Sequence, residues 1–311
     1  MDTMKIIRIA KMVTAVSLAA ALLVGCKVVA EPTPIPPTET PAPTATITNT
    51  PVPPTSTPTP EPTTTSTPDL RLKPEQWQDW PIIPTLSPRA LEIYRQGIAA
   101  GNDPKAFSKV GDCQSIKEAF MGLFDLKDRY VLTEEHEKFQ EAIDNFSGHF
   151  NTDGEGVKGG FNAAAVLSPM WANPDVCLPG ENPLECEIRL TKPTFMFIRL
   201  EVWWDGRTAE QYEAYMRRII EYAIAHGVVP ILATKADNLE GDGSLNETTA
   251  KLAYEYDIPL WNFWLAVQPL SHHGLDPNRP DDFHLSYEAW NVASFGGLET
   301  LDTLWRAATG E

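Results

Sequence analysis

The sequence has few basic residues, and this shortage limits the partners of the folded part of the chain. Lysine and arginine number 25 against 42 aspartate and glutamate residues, which gives a formal net charge of −17 over 311 residues. The first 70 residues are almost neutral, so nearly all of this charge falls on the remainder. A surplus of negative charge disfavours nucleic acid and anionic lipid as ligands. We therefore expect no nucleic-acid partner for the domain.

The motifs of several functional classes are also missing. The chain has no P-loop, no internal repeat and no zinc-ligand spacing of cysteine and histidine. The sequence accordingly implies neither a metal ion nor an organic cofactor. It gives no indication of the oligomeric state.

The one long apolar run lies near the N-terminus. Lys5, Arg8 and Lys11 precede an apolar stretch from Met12 to Val24, which ends at Gly25-Cys26. Basic residues followed by a short apolar core and small residues form a secretory signal, and the run is too short for a comfortable membrane span. Its ending resembles a bacterial lipobox. That resemblance implies a signal peptide over residues 1–25, lipidation of Cys26 and an extracytoplasmic, membrane-anchored protein. An ordinary signal peptide, or an uncleaved anchor with a chance cysteine, is the alternative.

The segment after the anchor is a candidate stalk, over residues 26–69. Within residues 31–68, 13 residues are proline, 14 are threonine and none is aromatic. Such a segment buries too little to offset its ordering entropy, and proline keeps it extended at roughly 3 Å per residue. We expect a disordered linker reaching on the order of 100 Å. Residues 70–311 then form one domain.

Three cysteines remain in that domain. Cys177 and Cys186 flank a loop rich in proline and glycine, so an oxidising compartment favours a local disulfide between them. Cys113 is then left over. It is either a reactive thiol, an inert thiol or a partner for one of the other two cysteines.

The domain alternates apolar strands with amphipathic helices. Strands are predicted at 107–110, 194–200, 228–234 and 260–264, and helices at 89–100, 114–124, 134–146, 208–227, 246–256, 286–290 and 298–307. This alternation predicts an α/β fold with three α/β/α layers and a central, mostly parallel sheet. Sites in such sheets form at the carboxyl ends of the strands.

Two short motifs stand at those ends. Gly111-Asp112-Cys113 follows the first strand, and Asp281-Asp-Phe-His284 precedes the last helices. Together they resemble the SGNH (or GDSL) hydrolase family, over most of residues 107–290. The resemblance implies that Cys113 replaces the serine nucleophile, that His284 is the base and that Asp281 orients it. No cofactor is implied.

The positions that bind the oxyanion in the family match this sequence less completely. Gly159 or Gly160 matches the glycine that follows the second strand of the family. The third block departs from the family pattern, because Trp203 stands where an asparagine belongs, and its indole has a different reach. Loss of one oxyanion donor typically costs about 10²–10³ in rate. The sequence therefore predicts a weakened hydrolase of a small-molecule or glycan ester.

A second interpretation stays open. The fold could be a surface module that binds a glycan or another envelope component without catalysis, with His284 as a surface or capping residue. Trp203 and Trp204 then serve as a platform for sugars or as core residues, whereas Trp261 and Trp264 are expected in the core. The polar run 235–240 faces the same sheet edge and is expected to be a helix cap or a loop network.

Overall fold

The computed structural model describes residues 69–201 and 208–310. The proposed signal peptide, the lipidation site Cys26 and the stalk lie outside the described residues, as do Trp203 and Trp204. In the described ranges, no helix combines the length and the apolar character that a membrane span requires.

A parallel four-stranded sheet forms the centre of the domain. Its strands are β1 (Asp103–Gly111), β2 (Pro193–Arg199), β3 (Val229–Ala233) and β4 (Leu260–Trp261), and they lie side by side in that order. At the free edge of β1, Gly111 pairs with Val157 through an isolated parallel bridge. Strand β2 is buried along its whole length because both faces of the sheet are covered.

Helices cover the two faces, so the domain is the three-layer α/β/α structure that the sequence predicted. On one face Phe107 and Phe197 meet the rings of Phe146 and Phe120. On the other face the hydroxyl of Ser108 bonds Glu187. The helices are α1 (Pro88–Ala100), α2 (Gln140–Asn145), α3 (Pro183–Thr191), α4 (Ala209–Ala225), α5 (Ser244–Tyr256), α6 (Phe263–Val267) and α7 (Tyr287–Thr309). Short 3₁₀ turns span Pro74–Asp79, Gly122–Asp125, Glu137–Phe139, Ala165–Leu167, Pro169–Trp171 and Ser271–Gly274.

The prediction of a helix over residues 114–124 was wrong. The segment forms a series of turns, with a 3₁₀ turn only at Gly122–Asp125. Main-chain N–H groups that a helix would satisfy internally are bound by side chains: Lys117 N by Asp153 (2.6 Å) and Met121 N by Ser294 (3.0 Å). Both acceptors lie far away in the sequence, so local periodicity could not reveal them.

Other element boundaries also shifted. The helix predicted over 134–146 shortens to α2 after a 3₁₀ turn, and the strand predicted over 260–264 ends at Trp261 because Asn262 caps α6. The two last predicted helices are one continuous helix, α7, which begins after Ser286. Helix α3 was not predicted at all, although Asn182 and Glu185 form a capping box at its start.

The predicted disulfide is present. Cys177 and Cys186 are bonded, with Cys186 inside α3, so the bridge ties this helix to the loop before it. Cys113 carries the free thiol among the described cysteines, which excludes its pairing with either of them in this structure.

Candidate active site

A tight turn after β1 presents Cys113. A Cβ atom at Gly111 would come within 2.0 Å of Ser115 Oγ and 2.9 Å of the Arg199 carbonyl oxygen, so only glycine fits where the strand leaves the sheet. Asp112 closes the turn, because its Oδ1 accepts the N–H of Gln114 at 2.8 Å. Burial raises the pKa of Asp112 to about 6, opposed by that hydrogen bond.

A second loop presents His284. Leu275 and Leu285 form an antiparallel bridge, and Asp276 N donates to the His284 carbonyl at 2.8 Å. Directly after this bridge, Ser286 accepts the N–H of Ala289 and caps α7. Strand-like pairing on one side and a helix cap on the other fix the backbone that carries the imidazole.

The structure brings Cys113, His284 and Asp281 together. The Sγ atom of Cys113 lies 3.6 Å from His284 Nε2, and His284 Nδ1 lies 2.9 Å from Asp281 Oδ2. The other oxygen of Asp281 accepts the main-chain N–H groups of Phe283 (3.1 Å) and His284 (3.0 Å). The three side chains form the chain of contacts that a nucleophile, a base and an orienting acid require.

The carboxylate of Asp281 determines which imidazole nitrogen carries the proton. Although partial burial works in the opposite direction, the hydrogen bonds from His284 and Phe283 lower the pKa of Asp281, so this group is ionised at neutral pH. An ionised carboxylate only accepts hydrogen bonds, so Nδ1 holds the proton of the neutral ring. Nε2 then offers a lone pair to the thiol of Cys113.

The surroundings of Cys113 keep its thiol protonated. Burial raises the pKa of Cys113 to about 12, and the nearby carboxyl groups of Asp112 and Glu201 act in the same direction. Because the predicted helix after Cys113 does not form, no helix N-terminus stabilises a thiolate here. Cys113 is therefore a neutral thiol beside an imidazole that can accept its proton.

The candidate oxyanion glycines lie beside the end of β1. Lys158 N donates to the Gly111 carbonyl at 3.2 Å, which places Gly159 and Gly160 directly after the segment that pairs with β1. Both glycines are exposed, and Gly160 has a φ of +86°, a conformation that favours glycine. Trp203, the third candidate for this role, lies outside the described residues.

A polar cavity adjoins the turn that carries Cys113. Its volume is about 40 Å³, and the residues on either side of Cys113 line it. Lys235 bonds Asp237 and Glu240 at 2.6 Å and lies 3.7 Å from Glu201. Burial and the neighbouring Asp237 hold the pKa of Glu201 well above its usual range. The lining includes Asp112, Gln114, Arg199, Leu200, Glu201, Ala233, Thr234, Lys235, Ala236, Asp237, Phe263, Phe283 and Leu285.

Sequence reasoning missed part of this cavity. The run 235–240 was expected at this edge as a loop network, and its ion pairs agree with that expectation. Arg199, Glu201 and Gln114 were not singled out. Arg199 gave a usable signal, because a charge within an otherwise apolar buried strand needs a specific partner.

Two further histidines and two tryptophans do not belong to the group of Cys113, His284 and Asp281. His272 and His273 are exposed in the turn at Ser271–Gly274. Trp261 is fully buried and stacks on Phe120, which confirms its expected place in the core. Trp264 is partly buried against Trp77.

No protein-family model matches the sequence, and no curated protein matches it. Several solved structures are similar in fold. A psychrotrophic esterase, EstA from Pseudoalteromonas sp., solved in a form inhibited by monoethylphosphonate, has 11% sequence identity and a TM-score of 0.42, over 62% of this chain and 94% of the esterase. A GDSL-like lipase from Bacteroides thetaiotaomicron has 14% identity and a TM-score of 0.41, over 68% of this chain and 96% of the lipase. Identities this low leave the chemistry of this chain to be judged from its own side chains.

Proposed function

We propose that this chain is an SGNH-type hydrolase of ester bonds that uses Cys113, His284 and Asp281. The observation that carries the proposal is the 3.6 Å contact between Cys113 Sγ and His284 Nε2, with Asp281 on the other ring nitrogen. The substrate is an ester of a small molecule or a glycan. The proposed place of action is outside the cytoplasm, on a lipid anchor at Cys26.

Catalysis begins with attack by the thiol, which is coupled to transfer of its proton. As the sulfur of Cys113 attacks the ester carbonyl carbon, its proton passes to His284 Nε2, and Asp281 stabilises the imidazolium that forms. The main-chain N–H groups of Cys113 and of Gly159 or Gly160 bind the negative oxygen of the tetrahedral intermediate. His284 then gives its proton to the leaving alcohol, which leaves a thioester on Cys113.

Water completes the cycle. His284 Nε2 accepts a proton from water, the resulting hydroxide attacks the thioester carbon, and the imidazolium returns a proton to the sulfur as the acid departs. The neutral resting thiol suits this route, because the base acts during the attack and no free thiolate is required. In this respect Cys113 behaves like the hydroxyl of a serine hydrolase.

The raised pKa of Cys113 also supports a second candidate function. A thiol held protonated by burial reacts slowly by itself, as an inert residue of a degenerate site does. The domain would then be a surface module that binds a glycan or an envelope component. The two functions differ in turnover.

Ester hydrolysis decides between them. Short p-nitrophenyl esters are offered to the wild type, Cys113→Ala and His284→Ala. The hydrolase requires turnover that falls by about 10²–10⁴ in both variants. Equal background rates in all three proteins contradict the hydrolase and favour the binding module.

A further inference from the structure

The side chain of Gln114 connects the two loops of the candidate site. Its Nε2 donates to the Phe283 carbonyl at 3.3 Å, and its Oε1 accepts from Trp290 Nε1 at 3.3 Å. Phe283 directly precedes His284, and Gln114 directly follows Cys113. One amide group therefore joins the neighbours of the base and of the nucleophile.

The orientation of this amide follows from its partners. The indole N–H of Trp290 only donates, and the Phe283 carbonyl only accepts. Each therefore takes one end of the Gln114 amide, and a flipped amide would lose both hydrogen bonds. The side chain is buried, so the loss would not be compensated fully by water.

The main chain of Gln114 is fixed as well. Asp112 Oδ1 accepts its N–H at 2.8 Å, and Arg199 donates from Nη1 to its carbonyl at 2.7 Å. Arg199 is buried, with its guanidinium 4.4 Å from the centre of the Phe120 ring. A residue held at the N–H, the carbonyl and both ends of the side chain has little freedom to move.

Main-chain hydrogen bonds do not hold the two loops at their separation, among the residues that the structure describes. Within the described residues, no main-chain hydrogen bond joins residues 112–116 to residues 281–285. The contact between Cys113 and His284 is itself a long one at 3.6 Å. The Gln114 amide thus links the two loops directly, in addition to the contact between the sulfur and the imidazole.

We propose that Gln114 is a positioning residue, whose amide bridge to the Phe283 carbonyl and to Trp290 sets the distance between the Cys113 sulfur and the His284 imidazole. This inference deepens the proposed hydrolase site and rests on it. Gln114 does not touch the reacting atoms. It acts by keeping the base within reach of the thiol, and small errors in such distances reduce rates strongly.

The test measures coupling between Cys113 and His284 with a probe that needs no substrate. The full-length protein is alkylated with iodoacetamide at pH 9, and the modification of the Cys113 peptide is followed by mass spectrometry. The rate is compared between the protein with His284 and the His284→Ala variant. Removing the imidazole should slow alkylation about tenfold, because no group then accepts the proton of the Cys113 thiol. A tenfold change in rate corresponds to one pKa unit. In the Gln114→Ala background the same replacement should change the rate less than about twofold.

Two further variants separate positioning from general structure. Gln114→Glu keeps the size and the acceptor for Trp290 but cannot donate to the Phe283 carbonyl when ionised, so coupling should be lost. Gln268→Ala removes a similar bond, from a side-chain amide to the Trp264 carbonyl, far from Cys113 in the sequence. Coupling should persist there.

The outcomes are distinct. An unchanged effect of His284→Ala in the Gln114→Ala background overturns the positioning role, even when esters are hydrolysed. The same holds when His284→Ala has no effect on the wild type, or when Gln114→Glu retains full coupling. Lost coupling together with no ester turnover by any variant supports the positioning role and contradicts the proposed hydrolase.

Discussion

His284 and Asp281 are bound to each other twice. The Nδ1 atom of His284 lies 2.9 Å from Oδ2 of Asp281, and the main-chain N–H of His284 donates to Oδ1 at 3.0 Å. The second bond anchors the carboxylate to the backbone that carries the imidazole. The ring is therefore oriented by a group that moves with it, and Nε2 faces Cys113 as an acceptor.

Replacement of Asp281 should disable the base without unfolding the domain. In Asp281→Asn the amide oxygen can keep the main-chain bonds, while the NH₂ group faces Nδ1 and favours the tautomer with the proton on Nε2. That tautomer cannot accept the thiol proton, so ester turnover should fall on the order of 10³–10⁴. Steady-state hydrolysis measures the loss, and thermal unfolding controls for stability. Activity within a factor of about three of the wild type contradicts the assigned role of Asp281.

A serine should work at position 113. In the proposed mechanism a neutral thiol gives its proton to His284 during the attack, so the hydroxyl of Cys113→Ser meets the same requirements. We expect p-nitrophenyl acetate hydrolysis within about tenfold of the wild type, against a loss of at least about 10² in Cys113→Ala. A serine variant as inactive as the alanine variant would show that the site depends on a thiolate.

The pH dependence of Cys113 alkylation follows from its raised pKa. An ordinary thiol approaches its maximal rate near pH 9, whereas a thiol with a pKa of about 12 gains thiolate about tenfold per pH unit throughout the range below. Alkylation by iodoacetamide should therefore rise steadily from pH 7 to pH 10.5. A rate that levels off above about pH 9.5 is the contrary result, and it would indicate an unperturbed thiol.

The buried Lys109 should make the domain more stable as the pH rises. A buried acid with a raised pKa has the opposite effect. Its Nζ reaches the carbonyls of Phe120 (3.4 Å) and Phe150 (3.2 Å), and burial lowers its pKa to about 8. Between pH 8 and the unfolded value near 10.5, the unfolded chain binds more protons than the folded one, so stability rises with pH.

The size of this effect is measurable by difference. From pH 7.5 to 9.5, the free energy of unfolding of the wild type should gain about 1–2 kcal/mol relative to Lys109→Met. Urea denaturation of both proteins at both pH values gives this difference and cancels other titrating groups. Parallel pH profiles for the two proteins are the result that would count against a perturbed Lys109.

The disulfide should stabilise the domain without contributing to the site. Cys177 and Cys186 are nine residues apart, and closing so short a loop contributes about 2.5–3 kcal/mol. The double variant Cys177→Ser/Cys186→Ser should lose about this much in urea denaturation. Its Cys113 alkylation rate should stay at the wild-type value, and a large change there would mean that α3 supports the site.

The anchor is testable apart from the fold. The lipobox-like ending at Cys26 predicts cleavage before this residue and therefore an acylated N-terminal cysteine on the mature protein. Intact-mass analysis of the detergent-extracted protein should show the diacyl or triacyl addition, and Cys26→Ala should appear in the soluble extracytoplasmic fraction. A protein that remains membrane-bound after that replacement contradicts the lipid anchor.

The sequence by itself determined the architecture and the two motifs of the site. Strands that alternate with amphipathic helices predict a parallel sheet covered on both faces, and strand ends are where its sites form. The resemblance to SGNH hydrolases located Cys113, Asp281 and His284, because its two motifs are local. The sequence also paired Cys177 with Cys186 correctly.

Only the tertiary structure decided how these residues work. The predicted helix after Cys113 is absent because Asp153 and Ser294 bind its N–H groups from remote positions. The pKa of Cys113 depends on burial and on Glu201, and Gln114 reaches across to Phe283 from 169 positions away. Burial and long-range hydrogen bonds arise only when the chain is folded, so no pattern of neighbouring residues encodes them in a form that can be read directly.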